Sequence, residues 1–466
     1  MTQPLVIPGF EGRLVEPGNG DYDALRAVWN AMIDNKPAVI ARCGSSSDVA
    51  AAVRFARAAG LEIGIRCGGH SVVGLSVPEG GLMIDLTPMG QVRVDPDRRR
   101  AWVQGGALLR TLDRATQEYG LATTAGNVSH TGVGGLTLGG GMGWLARRYG
   151  LSCDNVASFE LVTAEGTVLR VSDTHNADLF WGLRGGGGNF GVVTEFEFHL
   201  HPVGTRSLMA ELFFRPEDAE PPFRRWRDLL GEAPRQATFT AWVGTAGDWP
   251  HLPPALRGRP VATVGFVWVG DPDEGRRLLP PLRGTESPVA ERVQELTYLD
   301  LQTYQDVGEG HGMRRYWKGH YFSELGDEAI HAILMRGTQS GADGEEAALL
   351  PSATLQAYGG AIADVPDHET AFSQRNALLE FTASARWSDP AQDAGRMSAA
   401  RRYAASLETF ASGAYVNALA DEGHSGVRRA YSEDKLQRLT DLKDRYDPEN
   451  IFHLNYNFRP SSARSG

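Results

Sequence analysis

Between Leu379 and Trp387 apolar and polar residues alternate strictly. A period of two puts Glu380, Thr382, Ser384 and Arg386 on one face of a strand, and Leu379, Phe381, Ala383, Ala385 and Trp387 on the other. Alternation predicts further strands over Leu61–Arg66, 81–86, 100–105, 236–243, 260–269 and 352–358, with the strand around Leu379 extending over 376–387. Helical spacing predicts helices over 21–34, 46–59 and about 107–119. The second of these has serines at 45–47 as N-caps and Gly60 as its stop. The α/β alternation runs to about residue 204. Beyond it, proline clusters mark loops, and helices are predicted at 222–231, 272–279, 326–336 and 393–412. Strands with helices between them suggest an antiparallel sheet backed by helices. Residues 427–466 read as a helix ended by Asp447-Pro448, then a short strand and a disordered tail. The fold class expected is α+β, in two parts.

Composition narrows this picture. At 466 residues, 42% hydrophobic and 22% charged, the chain is globular and long enough for two or three domains. Its net charge of −11 disfavours nucleic-acid binding. Three cysteines (Cys43, Cys67, Cys153) cannot build a disulfide framework. The N-terminus lacks the charged and apolar regions of a signal peptide, and no apolar run reaches the length of a membrane span. A cytoplasmic, enzyme-sized protein is expected.

Glycine is the outlier, with 56 residues bunched at 132–143 and 185–191. Dense glycine beside strand ends lets backbone amides approach a phosphate. Tight turns between strands are the alternative. Gly186-x-Gly188-x-x-Gly191 matches the dinucleotide fingerprint, but the strand-like Val192–Phe198 follows it where a helix is required. Gly141-x-Gly143-x-x-Ala146 is a second near-match, whose helix would end at Gly150 after about two turns. No Walker lysine follows any glycine loop. A metal set would combine Cys67, His70, His130 and Cys153, yet that spacing matches no zinc module, and no metal is expected.

The loop Arg66-Cys67-Gly68-Gly69-His70-Ser71 resembles the Arg-Gly-Gly-Gly-His loop of flavoproteins with the p-cresol methylhydroxylase-type FAD fold. Ser129–Gly135, Gly139–Trp144, Arg148–Leu151 with Asp154–Val156, Leu179–Thr194 and Tyr446–Phe452 bring the likeness closer, to bacterial berberine bridge enzyme-like oxidoreductases. The resemblance implies a two-subdomain FAD-binding domain formed by residues 1–204 and 427–466, around a substrate domain at 205–426. It implies FAD contacts from Arg66, Cys67, Gly68, Gly69, Ser71, Gly126, Ser129, His130, Thr131, Gly132, Gly134, Gly135, Gly140, Gly143, Asn155, Gly191, Val193, Asn455 and Asn457. It also implies that His70 bonds covalently to the flavin 8α-methyl carbon. Many relatives add a cysteine link in an Ala-Gly-x-Cys element. Here that element is Ala125-Gly126-Asn127-Val128, so a single link through His70 is expected. Thr131 and Leu136 stand where relatives line the space in which O₂ meets reduced flavin.

Hydride removal from carbon needs a base for the departing proton. Counting back from Trp387, Glu380 falls at the catalytic glutamate of plant members, although a solvated strand face is an equal alternative. Gln356 and Thr354 share a face of another strand and are candidates for the substrate site. Tyr431 and Tyr415 are the counterparts of tyrosine bases in sugar and anthracycline oxidases. The function implied is an FAD-dependent oxidase or oxygenase of a hydroxylated or polycarbonyl small molecule, in natural-product tailoring, with O₂ as co-substrate. Amine or alcohol oxidation with release of H₂O₂, and a non-catalytic flavin- or ligand-binding protein, are the alternatives. A monomer or homodimer without nucleic-acid or membrane partners is expected.

Overall fold

A computed structural model describes residues 5–338 and 349–464. The first sheet has strand order β1-β2-β4-β3, from β1 (Arg13–Val15), β2 (Val39–Arg42), β3 (Ile63–Arg66) and β4 (Leu82–Asp85). Helix Ser46–Ala59 connects β2 to β3. Ser45 Oγ accepts the Asp48 amide at 3.1 Å, and Gly60 closes the helix at φ +64°, as the serine and glycine signals predict. Val49 and Val53 on this helix pack on Ala41, Leu82 and Ile84. The end of β3 delivers the chain straight into the Cys67–Ser71 loop.

The second sheet is formed by β5 (Val92–Asp95), β6 (Arg100–Gln104), β8 (Val156–Val162), β9 (Val168–Ser172) and β10 (Val192–His199), in the order β5-β6-β10-β8-β9. Two short strands, β7 (Leu121–Ala122) and β11 (His201–Pro202), pair separately. Gly191 at φ +152° opens β10, and a Cβ there would lie 2.4 Å from Val162 O. The glycines at 185–191 therefore feed a strand, and the dinucleotide fingerprint fails for the reason its context suggested.

The third sheet is wholly antiparallel. Its strands are β12 (Arg206–Phe214), β13 (Ala237–Thr245), β14 (Pro260–Val269), β15 (Ala290–Thr297), β16 (Arg314–Phe322), β17 (Ser352–Ala357) and β18 (Leu379–Trp387), ordered β15-β12-β14-β13-β17-β18-β16. Phe239, Phe266, Leu355 and Phe381 bury one face against Phe223, Trp226, Ile330, Ile333 and Tyr403 of the backing helices. In β18 the odd-numbered positions are buried, Glu380, Thr382 and Ser384 are half-buried on the other face, and Arg386 is exposed. The polar face turns toward the glycine-rich loops. Helix Glu433–Tyr446 returns to them: Lys443 Nζ, fully buried, pairs with Asp447 at 2.6 Å and donates to Asn189 O and Phe452 O at 2.9 and 2.8 Å.

Several expectations need correction. The helix predicted over 21–34 spans only Tyr22–Arg26. Beyond it Trp29 N donates to Gly69 O, and Asn30 is pinned to Val72 O and Arg315 O, so bonding to distant loops replaces helical bonds. Helix 272–279 is two short helices, Pro272–Arg276 and Leu279–Arg283, the second restarted by Pro280 and Pro281. Helix 393–412 stops at Ala405. The stretch 132–143 holds an unpredicted helix, Val133–Leu138, and the near-match at Gly141 opens only one turn, Ala146–Tyr149. After Tyr446 the described residues contain no strand. Ser461–Arg464 is a short 3₁₀ turn with Ser461 bonded to Asp444, not a disordered tail; the last two residues lie outside the described ones. Among the described residues no helix is long and apolar enough to cross a membrane.

Candidate active site

A cavity of about 1830 Å³ lies between the glycine-rich loops and the polar face of the third sheet. That is above the roughly 300–1,000 Å³ of a single-ligand pocket. One wall is Cys67, Gly68, Gly69, His70 and Ser71, and a second is Gly126, Thr131, Gly132, Gly134, Gly135 and Leu136. Gly191, Val193 and Asn455 line another side. The sheet contributes Thr354, Gln356 and Glu380, and Tyr415 and Tyr431 complete the set of sequence-predicted residues on the wall.

The two loops meet without room for side chains. A Cβ on Gly68 would fall 2.3 Å from Gly132 N, which is why glycine is required there. Gly69 at φ +67° then turns the chain so that His70 stacks on Trp29, ring centroids 4.8 Å apart. His70 Nε2 and His130 Nδ1 share a hydrogen bond of 2.7 Å, and Thr131 Oγ1 lies 3.3 Å from His70 Nδ1. Burial, then the adjacent His130, His311 and Arg315, hold His70 well below the usual histidine range. The ring is therefore neutral and nucleophilic. Cys67, beside it in sequence, donates to Ala107 O, and burial pushes its thiol up to about 11. It is a protonated packing group.

Other predicted residues stay off the wall. Asn155 donates to Tyr149 O and Leu151 O at 3.0 and 2.8 Å and bonds His201, so it fixes a turn and does not face the cavity. Gly140 and Gly143 are packing glycines: a Cβ would meet the Phe372 ring at 2.7 Å and Ala125 O at 1.6 Å. Ser129 holds Asp306 through its amide and hydroxyl. Arg66 reaches back to Leu25 O, and His130 sits behind His70. Asn457 is also off the wall, its Oδ1 buried without a partner. Of the metal set weighed from spacing, Cys153 is buried in the apolar core. His311 joins His70 and His130 instead, with ligand nitrogens within 4.8 Å of one another.

Across the cavity, Glu380 is opposite Gln356 in the β17–β18 register. Tyr358 Oη donates to Glu380 Oε2 at 3.0 Å, and Thr382 Oγ1 lies 3.5 Å from Oε1. Burial pushes the Glu380 carboxyl up to about 7, against the opposing pull of these two hydroxyls. That matches a proton acceptor working near neutral pH. The tyrosines are less suited. Tyr431 Oη donates to Gly185 O at 2.7 Å, Tyr415 Oη accepts from Gly141 N at 2.9 Å, and burial pushes both hydroxyls up. Gln356 Oε1 accepts from Asn127 Nδ2 at 3.0 Å, which leaves Gln356 Nε2 and Asn127 Oδ1 buried and unpartnered. Trp29, Asn127, His311, Tyr321 and Tyr358 carry no sequence signal for this site, because only the tertiary fold brings them to it.

The cavity suits a large, partly anionic, partly planar cofactor. Backbone at Gly135 and Gly188 faces open space, and the buried Oδ1 of Asn455 on the wall lacks a partner that an amide-like ring edge could supply. These features suit a flavin dinucleotide, and comparison with known proteins gives the class, a flavin-dependent oxidoreductase. Residues 37–172 match the FAD binding domain family, and residues 414–459 the berberine and berberine-like family. The chain is 30% identical to (R)-6-hydroxynicotine oxidase of Paenarthrobacter nicotinovorans over 99% of its length and 100% of that protein. It is 29% identical to the aclacinomycin-N/aclacinomycin-A oxidase of Streptomyces galilaeus over 94% and 88%. The crystal structure of 6-hydroxy-D-nicotine oxidase from Arthrobacter nicotinovorans superposes with a TM-score of 0.85, at 29% identity, covering 99% of this chain and all of that one. The chain belongs to the berberine bridge enzyme-like FAD-linked oxidoreductases, with their α+β, p-cresol methylhydroxylase-type fold.

Proposed function

We propose that this enzyme oxidises a hydroxylated or polycarbonyl small molecule, that its FAD is held covalently by His70 alone, and that O₂ is the final electron acceptor. The observation that carries the proposal is the Glu380 carboxyl on the cavity wall, raised to about 7 by burial and without a cationic partner among the described residues. FAD, when bound, would supply the hydride acceptor for the substrate carbon and the route of the electrons to O₂. Glu380 takes the proton released from the substrate hydroxyl or its neighbour, while Gln356 Nε2 and Asn127 Oδ1 offer one donor and one acceptor to orient it. The neutral His70 would be the nucleophile for attachment, a ring nitrogen replacing one hydrogen of the 8α-methyl group, with two protons released and the two electrons passing through the flavin to O₂. Val128 supplies no thiol in the element where many relatives carry a second link. Thr131 and Leu136 both line the cavity and would bound the space through which O₂ reaches the reduced cofactor. Residues 1–204 and 427–466 form the cofactor-binding part, and 205–426 the substrate part. The names of two relatives, a hydroxynicotine oxidase and an aclacinomycin oxidase, support such substrates and a natural-product context.

Anaerobic mixing with a panel of such compounds tests the proposal. An accepted substrate bleaches the flavin absorbance, and E380Q slows the bleaching about 10²-fold or more. Yellow colour persisting with every compound would favour a binding protein, and full-rate bleaching by E380Q would remove Glu380 as base. One H₂O₂ per substrate marks plain amine or alcohol oxidation; less than one marks oxygen retained in the product.

A further inference from the structure

Glu380 is gripped from behind by a residue that does not line the cavity. Tyr358 is 1% exposed. Its amide donates to Leu378 O at 2.8 Å, and its carbonyl accepts from Arg147 at 3.2 Å, so the residue is fixed at both backbone ends. A second tyrosine, Tyr321, also 1% exposed, lies edge-on to it at 5.1 Å between ring centroids and donates its hydroxyl proton to Tyr358 Oη at 3.1 Å. A phenol has one proton. With Tyr321 filling a lone pair of Tyr358, the Tyr358 proton is directed at Glu380 Oε2. Such a bond is stronger to a carboxylate than to a carboxylic acid.

We propose that Tyr358 is a positioning residue: its hydroxyl, oriented by Tyr321, holds the Glu380 carboxylate aimed into the cavity and ionised in surroundings that would otherwise protonate it. This rests on Glu380 being the base. The groups facing Glu380 are Tyr358, Thr382, Gln356 on the paired strand, and the Tyr321 and Tyr415 hydroxyls; it forms no ion pair among the described residues. Arg375 acts only at a remove, on Tyr321. Tyr321 has no hydroxyl partner beyond Tyr358 among the described residues, so the chain holds a charge in place and does not conduct a proton away.

The test needs no substrate. Infrared difference spectra of the purified holoenzyme, recorded across pH 5 to 10, contain the protonated-carboxyl band of Glu380, identified by its loss in E380Q. Y358F moves the midpoint of that band upward by about one pH unit, with the flavin absorption spectrum unchanged. Y321F, which keeps Tyr358, gives a smaller upward shift and decides the matter should Y358F not fold. A midpoint that stays in place in these variants, while E380Q abolishes the band, overturns the role of Tyr358 and leaves Glu380 as base. If E380Q removes no titrating band, Glu380 itself fails as the base.

Discussion

A carboxyl in a dry wall costs stability when it ionises, and that cost can be measured. Glu380 starts from an ordinary value of 4.5 and is raised to about 7 in the folded protein by burial. A raised carboxyl contributes stability fully present below its unfolded value and lost as pH rises through its folded value. Wild type should therefore lose stability between about pH 4.5 and 7 relative to E380Q. Urea melts of both proteins at pH 5 and pH 8 check this: the gap between them must change in favour of E380Q at the higher pH. Turnover has the opposite sign, because the base works only when ionised, so kcat/KM rises with pH through about 7. At this scale the sequence was informative about Glu380 and His70. The first declares its face by alternation and the second lies in a glycine loop after a strand. It was silent about Trp29, Tyr321 and Tyr358, whose roles exist only through contacts between distant segments.

Elements with local causes were legible. Helix Ser46–Ala59 has its cap, its stop and its apolar stripe in its own residues. S45A removes the Ser45–Asp48 bond and should cost about 1 kcal/mol in chemical denaturation. Strand β18 carries its own period. Elements decided from outside were not legible. The 21–34 segment has helical spacing but gives its backbone to Gly69 and Met313. In the third sheet, strands β12, β15 and β16 carry no clear period: β12 and β16 are buried along most of their length, with little alternation, and β15 is a largely polar edge. The glycine loops belong to this scale too. G68A places a methyl against Gly132 and should part the two loops, lowering the flavin content of purified protein well below wild type while the far-UV spectrum is retained.

For the whole molecule, the question is how the C-terminal segment closes onto a cavity built mostly by earlier residues. Lys443 and Asp447 form a fully buried pair that also carries Asn189 O and Phe452 O. This ties helix Glu433–Tyr446 to the 185–191 turn and sets the approach to Asn455. Removing one charge strands the other, so K443M should cost about 3–5 kcal/mol, read as a fall in melting temperature. The α+β fold class was legible because glycine, motif order and proline-marked loops change along the chain. The site between the parts was not, since the sheet's polar face acquires meaning only where it meets the loops.

At that meeting place we propose that FAD is anchored by His70 and by no other residue. Mass spectrometry of the denatured protein, with peptide mapping, decides it. Wild type should carry the mass of one FAD on the peptide containing His70, and H70A should carry none. No added mass in wild type, or added mass that survives in H70A, would contradict the account.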